Sequence, residues 1–191
     1  MSALTLTAGG GNSTTEYQQP PTGDHKAILV GIVESENEQT AYGPKDLLFL
    51  YFELEEKMDD GRPFSVRAKF TKSLNEKSNL YKFLNKWRGK PFAAGEEFDL
   101  NEMVGVGCIL ELISWSPKND PSVIRHLPDR ARPLPKKEWP KASGDFDAAA
   151  ASERIEKWKN ENNSEPPLNG GENVKQDGAA RPFDEGDDVP F

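Results

Sequence analysis

The chain has 191 residues, 35% of them hydrophobic, and a formal net charge of −8 at pH 7. No apolar run is long enough to span a membrane, the first residues lack the basic and apolar regions of a signal peptide, and a lone cysteine, Cys108, cannot form a disulfide within the chain. These features exclude a membrane-embedded protein and a disulfide scaffold. We therefore expect a soluble cytoplasmic protein with one domain of moderate size.

The charge is unevenly distributed. Residues 1–25 contain two acids and no Lys or Arg, residues 26–142 contain 19 basic and 18 acidic side chains, and residues 143–191 contain 5 basic and 12 acidic ones. Within the nearly neutral middle, residues 62–90 carry nine basic side chains against one acid, Glu76. This segment predicts a positive surface with about the reach of a nucleic-acid footprint.

The chain begins with a stretch that is poor folding material. Residues 1–25, with three consecutive glycines and two adjacent prolines, predict a flexible arm. Strands are predicted at residues 26–34 and 45–54, and the second is apolar on both of its faces, which indicates a central or covered position.

A third strand and a helix follow. Residues 63–72 alternate apolar side chains with Ser, Arg, Lys and Thr, so one face belongs to a core and the other presents cations. Asn75 can cap a helix over residues 76–87, whose apolar positions recur at helical spacing, and Gly89 ends it.

Two further strands are predicted at residues 106–115 and 122–127, and Cys108 falls in the apolar run of the first as a core residue. From Ser143 onward the composition predicts disorder, with a short helix over residues 145–160 as the exception.

Three strands, a helix and two strands in about 100 residues are the order of a five-stranded OB-type Greek-key barrel with its helix between strands 3 and 4. The fold class predicted is therefore mainly β, flanked by disordered termini. A small Greek-key barrel of another kind remains an alternative.

Two linked motifs support the barrel through a resemblance. Ser73-Leu74-Asn75-Glu76-Lys77-Ser78 and Trp87-Arg88-Gly89-Lys90-Pro91-Phe92 are similar to elements of phage-encoded single-stranded DNA-binding proteins of the OB-fold class. The resemblance covers residues 26–138 and implies a nucleic-acid-binding domain there, although the pattern departs from the family after Pro135.

The last residues carry a second resemblance. Asp184-Glu185-Gly186-Asp187-Asp188-Val189-Pro190-Phe191 resembles the acidic C-terminal tip of bacterial single-stranded DNA-binding proteins. The likeness implies a disordered tail over residues 139–191 that recruits replication or recombination proteins. The partner-binding residues it implies are Asp187, Asp188, Val189, Pro190 and Phe191. A merely solubilising acidic tail is the alternative.

Binding a single strand requires cations for phosphates and exposed rings on which unpaired bases can stack. The candidate cations are Arg67, Lys69, Lys72, Arg125 and Arg130, and the candidate rings are Tyr42, Tyr51 and Trp115. Tyr51 is equally compatible with a core position.

The sequence contains no motif for catalysis, a cofactor or a metal. It has two histidines, one cysteine and no zinc-ligand spacing, and it lacks a phosphate-binding loop. We therefore expect a protein without enzymatic activity that coats single-stranded DNA. Two alternatives remain: a protein-interaction or DNA-mimic module that inhibits a host nucleic-acid enzyme, and an OB-fold protein that binds RNA or double-stranded DNA.

Overall fold

A computed structural model describes residues 18–40, 43–116 and 121–162. Five strands and two α-helices form most of this part of the chain. They are β1 (Gly23–Thr40), β2 (Gly43–Lys57), β3 (Pro63–Thr71), α1 (Asn79–Arg88), β4 (Gly107–Trp115), β5 (Arg125–Pro133) and α2 (Ala148–Asn162). Within the described ranges, neither α-helix is long and apolar enough to cross a membrane.

The strands form one antiparallel sheet in the order β3-β2-β1-β4-β5. Helix α1 lies between β3 and β4 in the chain and packs against both β3 and β5, and these two end strands contact each other. The predicted mainly β architecture, with five strands and a helix after the third, is confirmed.

Strand β1 is the longest strand and the centre of the sheet. It extends beyond the predicted range 26–34 at both ends, because backbone pairing with β2 continues through its polar second half to Thr40. A register shift between Leu29 and Gly31 marks a bulge. The bulge changes which residues face inward, so Leu29 lies in the main core whereas Val33 packs on the opposite face.

Strand β2 is buried on both faces, as its apolar run predicted. Leu48, Leu50 and Phe52 point into the main core, which α1 covers with Leu80, Phe83, Leu84 and Trp87. Leu47 and Phe49 point outward into a second apolar cluster with Ala151 and Ile155 of α2. The strand tolerates a nearly continuous apolar sequence because both its faces are covered.

Helix α1 begins three residues later than predicted. Its N-cap is Ser78, whose Oγ accepts a hydrogen bond from the Tyr81 N–H at 3.2 Å, while the Asn75 side chain accepts one from the Lys77 N–H at 3.0 Å in the preceding turn. Gly89 ends the helix with a left-handed φ of 71°.

Cys108 of β4 is fully buried, as predicted, and desolvation raises the pKa of its thiol well above the ordinary value.

The predicted helix at residues 145–160 is present as α2, at Ala148–Asn162. Its first turn is capped by the Asp147 carboxylate, which accepts hydrogen bonds from the N–H groups of Ala149 and Ala150. The sequence did not reveal that this helix packs on the sheet. We call residues 143–162 the strap, because they run back across the outer face of β1 and β2.

Candidate nucleic-acid interface

The outer face of the sheet carries a row of three residues from adjacent strands. Tyr51 of β2 is paired with Arg67 of β3 on one side and with Gly31 of β1 on the other. The Arg67 guanidinium carbon lies 5.0 Å from the ring centroid of Phe49 and 6.0 Å from that of Tyr51. A cation therefore sits beside two aromatic rings, a combination suited to phosphate and base alike.

The strap covers part of this row. The ring of Phe146 lies 5.0 Å from the ring of Tyr51, centroid to centroid, at an interplanar angle of 43°. The same ring rests on Gly31, where an added Cβ would stand 1.9 Å from Phe146 Cε1. Tyr51 is half-buried as a result, and one side of it is occupied by another aromatic ring.

Polar contacts anchor the strap at two buried carboxylates of the sheet. Glu53 is 7% exposed and accepts hydrogen bonds of 2.6 Å from both the N–H and the hydroxyl of Ser143. Glu38 is 3% exposed, and the Lys159 ammonium of α2 lies 3.6 Å from its carboxylate. Buried carboxylates require such donors, because an unpaired charge in a dry environment is costly.

A second ring and cation occur at the end of β4. Trp115 is paired with Arg125 of β5, and its ring is half-buried. Two exposed apolar side chains belong to the same region, Ile113 at 41% and Ile124 at 55%. A half-buried aromatic ring with exposed apolar neighbours beside an arginine is the type of surface that unpaired bases can cover.

The residues that precede β1 hold this second region in place. The Gln19 side chain donates a hydrogen bond to the Ile124 carbonyl and accepts one from the His126 N–H, both at 3.0 Å. His126 Nδ1 lies 2.6 Å from the carbonyl oxygen of Pro20. The arm predicted over residues 1–25 thus contains, in its described part, residues that pack against the start of β5.

Two further predicted cations, Lys72 and Arg130, are exposed and have acidic neighbours. Lys72 forms an ion pair with Glu34, and the hydrogen bond to this carboxylate raises the pKa of the ammonium. Arg130 Nε lies 2.9 Å from the carboxylate of Asp129, and Arg130 faces Glu111 across the ladder of β4 and β5. A phosphate that binds either of these two side chains would have to compete with its carboxylate partner.

The structure therefore assembles the sequence-predicted residues into two separate groups. One contains Tyr51 and Arg67, with Lys69 opposite Phe49 in the next row, and the other contains Trp115 and Arg125. The group at Tyr51 is level with Gly31 of β1, whereas Trp115 lies three residues beyond Leu112, the partner of Gly23. The two groups are therefore roughly 35 Å apart along the strands at ~3.3 Å per residue. Tyr42 and the residues of the acidic tip, 187–191, lie outside the described residues.

Sequence reasoning missed Phe146 and Gly31 as members of the first group. A local signal for Phe146 exists, since it precedes the cap Asp147 and joins Ala151 of the first turns in one apolar cluster, as in a hydrophobic staple. No sequence signal pairs it with Gly31, more than a hundred residues away.

Among the described residues, no group of three or more His, Cys, Asp or Glu side chains is placed to hold a metal ion. In comparisons with known proteins, no family model and no curated protein matched the chain.

Proposed function

We propose that this protein is a non-enzymatic single-stranded DNA-binding protein whose β domain is an OB-type barrel. The observation that carries the proposal is the pairing of Trp115 with Arg125 beside exposed Ile113 and Ile124. Duplex DNA hides its base faces, so a partly exposed aromatic ring with an adjacent arginine favours unpaired bases over a duplex.

The strand order supports the barrel assignment. An OB barrel is a five-stranded Greek-key sheet, partly open, that binds oligonucleotides on one face and through its loops. The order β3-β2-β1-β4-β5, the helix between β3 and β4 and the approach of β3 to β5 are compatible with closure between the two end strands.

Binding would be largely independent of base sequence. Each stacked base contributes ~1–3 kcal/mol without reading its hydrogen-bonding edge, and arginine neutralises a phosphate of any nucleotide. The affinity should fall with salt at a slope of about −0.7 per phosphate contacted, because bound counterions are released.

The acidic segment Asp184–Phe191 completes the proposal as a recruitment site. Its four carboxylates and its apolar Val-Pro-Phe sequence suit a partner with a basic rim around an apolar pocket. With the resemblance to phage proteins, this suggests a role in phage DNA replication within the host cytoplasm, where bound DNA is protected and replication or recombination proteins are brought to it.

Fluorescence anisotropy tests the proposal directly. A labelled oligo(dT) of about 30 nucleotides, the matching duplex and the matching RNA would be titrated with the full chain over a salt series. We expect tight single-strand binding that weakens with salt and a clear preference over the duplex. Equal binding to the duplex would remove the stacking mechanism, and no binding to any of the three would overturn the function.

A matched pair of variants assigns the binding to the surface described above. Arg125→Gln should weaken oligo(dT) binding and reduce the salt slope by about 0.7. Lys86→Gln, on the exposed side of α1, is the control and should leave both unchanged.

A further inference from the structure

Phe146 packs on the outer face of the sheet, beside the row of Gly31, Tyr51 and Arg67. Its ring lies against Tyr51, rests on the backbone of Gly31, and has the Arg67 guanidinium on the far side of Tyr51 in the same row. Only a residue without a side chain leaves space for a flat ring at Gly31, since an added Cβ would come within 1.9 Å of the Phe146 ring.

We propose that Gly31, Tyr51 and Arg67 form a second base-stacking subsite, and that Phe146 of the strap fills it until a DNA strand displaces it. The inference rests on the proposed function and adds to it a concealed binding site and its regulation. The ligand of this subsite is one unpaired nucleobase with its adjoining phosphate.

The side chains of the strap around Phe146 resemble the groups of the DNA strand that would replace them. Phe146 stands between two acidic residues, Asp145 and Asp147, both of which are exposed. An aromatic ring flanked by anions presents the same sequence of groups as a base between two phosphates. A subsite that accepts the first is therefore suited to the second, with Arg67 as its cation.

The strap can leave without unfolding the domain. The main core between the sheet and α1 contains no strap residue, whereas Ala151 and Ile155 belong to a separate cluster with Val33, Leu47 and Phe49. The polar anchors of the strap, Ser143 on Glu53 and Lys159 on Glu38, can be exchanged for water once the strap lifts. Release therefore costs the contacts of the strap and leaves the main core intact.

This arrangement predicts a sequence of binding events. A strand first occupies the open group at Trp115 and Arg125, and the subsite at Tyr51 becomes available only when Phe146 moves away. A DNA strand can displace Phe146 only if it binds the protein with the strap lifted more tightly than the protein with the strap in place. Part of the binding free energy is used to displace the strap, so Phe146 lowers the apparent affinity of the wild-type protein for DNA.

A double-mutant cycle on the full-length protein tests the proposal. Oligo(dT) binding would be measured by anisotropy for the wild type, Phe146→Ala, Tyr51→Leu and the double variant, with thermal unfolding by circular dichroism to verify that each is folded. Phe146→Ala should bind about fivefold or more tightly, because the subsite is then open. Tyr51→Leu should abolish that gain in the Phe146→Ala background, and Tyr51→Phe, which keeps the ring, should retain it.

Amide hydrogen exchange on the wild-type protein gives a second test that requires no substitution. The amides of α2 should exchange faster when oligo(dT) is bound than when it is absent, because the strap is displaced. Unchanged or slower exchange in α2, or equal oligo(dT) affinity of Phe146→Ala and wild type, would overturn the inference while leaving the proposed function intact. A failure of every variant to bind oligo(dT) would instead overturn the proposed function itself.

Discussion

The aromatic ring of Phe146 lies directly on the backbone of Gly31, and the space for it exists only because Gly31 has no side chain. The contact joins residues 115 positions apart in the sequence and places the start of α2 on the sheet. The outer face of β1 and β2 is consequently an interior surface of the protein, and Tyr51 shares it with Phe146.

Substitution of Gly31 should detach the strap. The Cβ of Gly31→Ala would collide with the Phe146 ring at 1.9 Å, so we expect a loss of stability of about 1–3 kcal/mol, measured by chemical denaturation. In a Phe146→Ala background the same Gly31→Ala change should cost little, because the colliding ring is gone. Equal costs in both backgrounds would contradict the contact.

The Ser143 hydroxyl should stabilise the fold through the buried carboxylate of Glu53. Ser143→Ala removes one of the two donors to that carboxylate, and we expect a destabilisation of about 1–3 kcal/mol in thermal or urea unfolding. Ser65→Ala is the control, because Ser65 is paired with Glu53 on the neighbouring strand and is exposed like Ser143, whereas the donors to the Glu53 carboxylate come from Ser143. A similar effect of the two substitutions would argue against the role of Ser143.

Loss of the Trp115 ring should weaken DNA binding more than it lowers stability, because the ring is only half-buried. Trp115→Ala should cost ~1–3 kcal/mol of binding free energy for oligo(dT), whereas Trp115→Phe should retain most of the affinity because the ring remains. Anisotropy titration measures the first quantity and thermal unfolding the second. An unchanged affinity in Trp115→Ala would move the bound strand away from this end of β4.

Loss of the Trp87 ring should lower stability and leave DNA binding by the folded protein unchanged. Trp87 is 3% exposed, and its indole N–H donates to the Gly107 carbonyl at 3.3 Å. Trp87→Ala should destabilise the protein by about 3–5 kcal/mol in urea unfolding. Trp87→Phe should cost less, and the folded fraction of either variant should bind oligo(dT) normally. Weakened binding by a folded Trp87→Phe variant would indicate a direct contact with DNA.

The Asp24 carboxylate should titrate below its usual range. Its hydrogen bond with the Arg132 guanidinium lowers its pKa from the ordinary 3.8, so the pair adds stability above that pH and loses it as the pH falls through the lowered pKa. Arg132→Gln should return the pKa of Asp24 towards 3.8, as followed by carboxyl NMR titration. An unchanged titration curve would show that the pair does not form in solution.

The elements were largely predictable because their signals are local. The helical spacing of Leu80, Phe83, Leu84 and Trp87, the alternation along β3 and the two-sided apolar run of β2 each follow from a short stretch of residues. Boundaries were less accurate where backbone pairing overrides composition, as in the polar second half of β1.

The candidate site was predictable only as a set of residue types. Cations and rings could be identified one by one, but pairing of Tyr51 with Arg67 and of Trp115 with Arg125 depends on strand register, which the neighbouring strands determine. Coverage of Tyr51 by Phe146 depends on a contact between distant parts of the chain.

Propensity and periodicity act within a few residues, so the mainly β class, the helix after the third strand, the burial of Cys108 and a helix near residue 150 could all be predicted from local patterns. The packing of this helix over the sheet and the division of the predicted rings into two separate groups depend on contacts between distant parts of the chain. Apolar burial has no direction along the chain, and the partner of a buried ring is set by the shape of the surface it meets, here the space at Gly31.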